Sequence, residues 1–188
     1  MGRPAKHDAE TLLDAAAAIV ADEGPAAVTM VAVARRAGVP SGSLYHRFPT
    51  RAALLGALWL RTVRRFQAGW LAALDGDDPL VTAARHVVVW SRRNRPEALL
   101  LLHGASELAQ PDWPVATRRA AEQEQREAEA ALRAVAASLG GGRETLDRVV
   151  LTAVDIPYAV VRRRLRTGEP MSRRAEALVE ESARALLG

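Results

Sequence analysis

The sequence predicts an all-α chain of about nine helices, opening with a compact three-helix unit. Three observations carry that expectation. Apolar residues make up 49 % of the 188-residue chain, yet only 4 % are aromatic. Ala, Leu and Val must therefore fill the interior, and Ala and Leu favour helices over pleated strands. Apolar side chains recur at helical spacing, as at Leu12, Ala15, Ala16, Ile19 and Val20. Gly and Pro fall between such segments, where helices stop. No strand and no internal repeat is expected.

The first helix lies between Ala9 and Asp22, with Asp8 as its N-cap and Gly24-Pro25 as its stop. A second begins after Thr29, whose hydroxyl can cap free N–H groups. It ends at Gly38, a residue able to take the positive φ of a sharp reversal. Pro40 cannot continue that helix, and a short third one follows until Phe48-Pro49. Thr50 caps a long fourth helix running to about Leu74. Further helices are expected at about Leu80–Asn94, Pro96–Leu108 and Val115–Leu139. An eighth, at about Arg143–Arg166, should kink at Pro157. A ninth spans about Ser172–Leu187.

Composition excludes several function classes. Without cysteine there is no disulfide, thiolate nucleophile or thiolate metal site. No apolar run approaches the roughly 18 to 20 residues that span a bilayer. The N-terminus lacks the apolar core of a signal peptide, so a cytoplasmic protein is expected. The four histidines are scattered and no nucleophile–base motif occurs, so no enzyme and no catalytic residue is expected. His86 and His103 are not at ligand spacing, and neither a metal nor another cofactor is assigned.

Charge is informative by its location. Residues 1–65 hold nine basic and five acidic groups, which accounts for the whole net charge of +4. The remaining 123 residues balance 17 basic against 17 acidic groups. The excess surrounds residues 29–48, where two short helices joined by a tight Gly turn have helix-turn-helix spacing. In a DNA reader of this kind, the second helix presents its N-terminal side chains to base edges. Those would be Ser41, Ser43, Tyr45 and His46, with Gly42 permitting close backbone approach. Arg3 and Lys6 in the basic N-terminal arm could enter a neighbouring minor groove. Spacing alone also allows a plain helix–helix corner with a polar surface.

The wording of the motif is more specific. G-V-P-S-G-S-L-Y-H-R-F-P-T-R-A-A-L-L, from Gly38 to Leu55, closely resembles the recognition helix and following helix start of TetR-family transcriptional regulators. Upstream, Ala15, Ala16, Ile19, Gly24, Thr29, Val33-Ala34 and Ala37-Gly38-Val39 agree in register. The resemblance covers roughly residues 8–60. It implies that Ser41, Gly42, Tyr45 and His46 lie in or beside the major groove of a double-stranded operator, and that Thr29 meets a phosphate. Arg51, where the family commonly has lysine, would anchor the fourth helix to a phosphate. Val20 departs from the pattern, which usually has a larger aromatic there.

The resemblance further implies a helix-turn-helix DNA-binding domain at residues 6–66 and a helical ligand-sensing and dimerisation domain at residues 67–188. A homodimer would form through helices near 143–166 and 172–187. A small apolar or amphipathic effector would bind among the middle helices. Trp59, Phe66, Trp70 and Trp90 are candidate lining residues, as are His103, Glu107, Trp113 and Tyr158. The expected function is a repressor that binds a palindrome and is released by that effector. An architectural or activating DNA-binding protein without a small-molecule ligand is the alternative.

Overall fold

The computed structural model describes residues 5–187, with side chains for residues 9–186. Among the described residues there are nine helices and no strand. They are α1 (Ala5–Glu23), α2 (Met30–Ala37), α3 (Ser41–Arg47), α4 (Arg51–Leu74) and α5 (Pro79–Arg93). Next come α6 (Arg95–Glu107) and α7 (Val115–Ser138). Helix α8 is continuous over three stretches, Arg143–Val150, the π-helical Leu151–Asp155, and Ile156–Thr167. Helix α9 is Arg173–Leu187.

The chain forms two compact units. The first comprises residues up to Val63 together with Arg95–Glu122. The second comprises Arg64–Asn94 and the chain from Gln123 onward. Helix α6, expected from sequence within the C-terminal domain, thus belongs with the N-terminal helices and packs on α1.

In the first unit, Leu12, Ala16 and Ile19 of α1 join Val33, Leu44, Leu54, Leu55 and Leu58 in one core. Val20, the departure from the family pattern, is buried in it. Helix α1 starts at Ala5, so Asp8 lies inside the helix and is not its cap. The family-like turn is built by local chemistry. Thr29 Oγ1 accepts from Ala32 N at 3.0 Å, capping α2. Gly38, at φ 67°, turns the chain so that Val39 N can donate to Ala34 O at 3.0 Å. This closes α2 with a left-handed residue that a side chain would strain. Thr50 Oγ1 then accepts from Ala53 N at 3.0 Å and caps α4. Farther on, α6 is broken at Gly104 (φ 71°, ψ 168°), which the expected unbroken helix did not contain.

In the second unit, α5 packs against α8 and α9. Val149, Ala153, Pro157, Val161 and Leu165 of α8 are buried, one every four residues. At about 100° per residue such a series drifts by about 40° per step on an ideal α-helix. The π turn inserts an extra residue and offsets part of that drift, with Ile156 N donating to Leu151 O. The expected disturbance at Pro157 therefore takes the form of a π turn ahead of it. Across this packing, Glu176 accepts from Arg85 Nε at 2.8 Å and Arg92 Nη1 at 2.9 Å. No described helix is long and apolar enough to cross a membrane.

Candidate nucleic-acid interface

Helix α3 has seven residues, and only Leu44 is buried. Ser41, Gly42, Ser43, Tyr45 and His46 are all exposed, Tyr45 by 50 %. The inward Leu44 anchors the helix, while Ser43 N donates to Pro40 O at 3.0 Å and Phe48 N to Leu44 O at 2.8 Å. The result is a short, firmly rooted rod carrying three hydroxyls and an imidazole outward. Such groups donate to or accept from base edges and phosphates.

Thr29 is also exposed, and its lone pair is used by Ala32 N, which leaves its O–H free to donate. Val31, two residues on, is 66 % exposed. It lies off the inward face of α2, which carries Met30, Val33 and Ala34.

Arg51 is half-buried, and its setting differs from a simple phosphate anchor. Its Nε donates to Val28 O at 2.5 Å and its Nη2 to Pro25 O at 2.6 Å. The guanidinium thus ties the start of α4 to the short 3-10 turn Pro25–Ala27 and to the residue preceding the α2 cap. Asp14 pairs with Arg61 at 2.8 Å, alongside Glu10 at 3.0 Å. Asp22 pairs with Arg36 at 2.7 Å. Arg3 lies outside the described residues, and so does the side chain of Lys6, whose backbone belongs to α1.

The candidate effector-lining residues fall into separate settings. In the first unit, Trp59 and Trp113 pack with ring centroids 5.5 Å apart. Trp113 is fully buried and its Nε1 donates to Leu108 O at 2.7 Å. A Cβ at Gly56 would come within 2.9 Å of that ring, so this glycine admits it. His103 Nδ1 and Glu107 Oε2 pair with each other at 2.8 Å along α6. In the second unit, Tyr158 is 43 % exposed on α8.

Phe66, Trp70 and Trp90 are brought together in the second unit, with a residue the sequence reading set aside, His86. Phe66 lies 6.3 Å from Trp70, 5.4 Å from His86 and 5.3 Å from Trp90, the last edge-on. His86 Nε2 donates to Phe66 O at 3.1 Å, which assigns the proton to that nitrogen. Burial lowers the His86 pKa below 6.5, against the raising effect of the Phe66 carbonyl, so the ring is held neutral. Its ring rests on Gly69, where a Cβ would overlap Cε1. No sequence signal marks this arrangement, because His86 and Gly69 lie on different helices. Among the described residues no group of three or more His, Asp or Glu side chains is placed to hold a metal.

The comparisons with known proteins agree with this geometry. The family model described as "Bacterial regulatory proteins, tetR family" matches residues 12–58. Of the curated proteins, none matches the chain in sequence. Among solved structures, a TetR-like transcriptional regulator from Rhodococcus sp. RHA1 is 21 % identical, with all of both chains covered and a TM-score of 0.74. The fatty acid degradation regulator FadR from Bacillus halodurans is 17 % identical, covering 100 % of this chain and 97 % of its own, with a TM-score of 0.75. FadR from Bacillus subtilis, solved in complex with stearoyl-CoA, is 14 % identical over 95 % of this chain and 97 % of its own, with a TM-score of 0.72. Residues 12–58 are therefore a helix-turn-helix segment of the TetR family of bacterial regulators, and the chain that carries them has the fold of that family's solved members.

Proposed function

We propose that the protein is a homodimeric transcriptional repressor that binds a palindromic operator and is released by a small effector. The observation carrying this reading is α3, with Leu44 inward and Ser41, Gly42, Ser43, Tyr45 and His46 outward. Exposed Thr29 and the start of α2 supply the adjoining phosphate contact. Two such readers set about 34–36 Å apart meet successive major grooves of one duplex face.

Dimerisation draws support from the second unit. Leu151 and Tyr158 on α8 and Leu178 on α9 are each at least 40 % exposed. Residues 151, 155, 158 and 162 share one helical face, opposite the buried series of α8. Large apolar side chains exposed on the two helices expected to pair are the groups a partner copy would cover.

Effector release follows if a ligand prefers the conformer whose readers are wrongly spaced. The FadR neighbour bound to stearoyl-CoA supports an amphipathic effector class. The cluster of Phe66, Trp70, His86 and Trp90 is the site we assign to the effector's apolar body. The test is selection of operator sequences from random duplexes by the full-length protein, followed by affinity measurement at several salt concentrations. The reading requires a palindromic consensus and a specific-to-nonspecific affinity ratio of about a thousandfold or more. Equal affinity for unrelated duplexes would mark an architectural protein instead.

A further inference from the structure

We infer that the effector is an uncharged apolar compound bearing a hydroxyl, and that Trp70 Nε1 and Gln67 Oε1 are the two atoms that recognise this group. The inference rests on the effector-released regulator proposed above and names the chemistry of its ligand.

Among the described residues of the second unit three buried polar side-chain atoms lack a hydrogen-bond partner, Trp70 Nε1, Gln67 Oε1 and Arg164 Nε, and the first two, both on α4, are complementary. Trp70 is 4 % exposed, and its indole Nε1 has no acceptor. Gln67 Oε1 is buried and has no donor, although the same amide gives its Nε2 proton to Glu124 O at 3.4 Å. That bond fixes the amide orientation, because Nε2 must be the end that faces a carbonyl. The two residues are three apart on α4, hence neighbours on one face of the helix. A buried unpaired donor and a buried unpaired acceptor three residues apart on one helix cost free energy until one group serves both.

A hydroxyl does so with a single oxygen, accepting from the indole and donating to the amide. A carboxylate repels Gln67 Oε1 and would need a cation. The nearby arginines are engaged: Arg64 with Glu124 at 2.6 Å, and Arg85 and Arg92 with Glu176. An ammonium would gain from the ring faces but offers nothing to the Trp70 N–H. Phe66 stacks on Trp70, and the ring of Trp90 and the neutral imidazole of His86 lie against Phe66 in turn. An apolar body next to one hydroxyl matches that composition. Phe66 and Trp90 pack edge-on on each other, so the ligand must part them to enter. That separation of α4 from α5 gives it the conformational preference a release mechanism needs.

The experiment titrates full-length protein with 1-naphthol, naphthalene and 1-naphthoate, probes about the size of one indole. Binding is followed by calorimetry and by tryptophan fluorescence. The same titrations are run on Trp70→Phe and Gln67→Met, each first checked for native thermal melting and operator binding. The expected result is 1-naphthol binding about tenfold more tightly than naphthalene, with naphthoate weakest. The naphthol advantage should collapse to about twofold or less in both variants. Equal binding of naphthol and naphthalene overturns the inference, as does an advantage that survives both substitutions. Tighter binding of naphthoate, or no binding of any probe, overturns it too. The naphthol–naphthalene comparison on the unaltered protein decides the matter even if a variant fails to fold. The parent reading fails separately, through loss of sequence-specific DNA binding or indifference of operator affinity to every compound screened.

Discussion

Arg51, the first residue of α4, reaches back to the carbonyl of Val28, which immediately precedes the Thr29 cap of α2. Its second bond, to Pro25 O, adds the 3-10 turn to the same junction. The guanidinium thus sets where α2 begins relative to α4, and through that junction how α3 is presented. Lysine keeps the charge but lacks the fork that bridges two carbonyls. Arg51→Lys should lower stability by about 1–3 kcal/mol, since charge-assisted hydrogen bonds to part-buried carbonyls are lost. Chemical denaturation with operator binding measures it, and an Arg51→Lys protein with wild-type stability would reduce Arg51 to a simple cation.

Helix α3 separates stability from recognition. Leu44→Ala removes a side chain that is 0 % exposed and should cost about 2–5 kcal/mol in thermal or urea unfolding. Tyr45→Ala and His46→Ala alter exposed side chains and should leave stability within about 0.5 kcal/mol. Each should weaken operator binding by about five- to tenfold or more. Wild-type operator affinity in both variants would remove α3 from the interface.

Stability should fall in two stages on acidification, for two different groups. His86 has a lowered pKa in the folded chain, so the unfolded chain binds its proton first. The stability it supports is complete above pH 6.5 and declines as the pH falls from there through its folded value. Burial pushes the Glu176 pKa up, but hydrogen bonds and charge from Arg92 and Arg85 outweigh it and hold the carboxyl below 4.5. Its contribution is therefore present above pH 4.5 and lost as the pH drops further. Urea unfolding between pH 3 and 8 should show both declines. His86→Phe should flatten only the upper one and Glu176→Gln only the lower. Unchanged profiles would dissociate these groups from the acid response.

The π-turn helix presents the other expected interface. Leu151→Glu and Leu178→Glu together place charge where exposed apolar side chains now stand. If the proposed dimer forms through this face, they should convert it to a monomer in light scattering at micromolar concentration. Helical content should be retained, because neither side chain is buried in the unit. Operator affinity should fall by at least about a hundredfold, the contribution of a second linked half-site. A dimer that persists in this variant would place the interface elsewhere.

What the sequence by itself determined is the run of short-range devices. Thr29 and Thr50 cap helices three residues ahead, and Gly38 takes the left-handed turn before Pro40. Those features depend on backbone preference and on hydrogen bonds spanning a few residues, so residue identity and order are sufficient. The outward set on α3 was legible for the same reason, since one buried Leu44 phases a seven-residue helix. Tertiary structure alone decided the partners. It sent Trp59 to Trp113, but Trp70 and Trp90 to Phe66 and His86, and it gave Arg51 carbonyl acceptors 23 and 26 residues away. It also put α6 with the N-terminal helices and a π turn ahead of Pro157. Periodicity tells which face of a helix is apolar. Which other face it meets, and at what register, depends on how several helices fill a common volume, and no single segment carries that information.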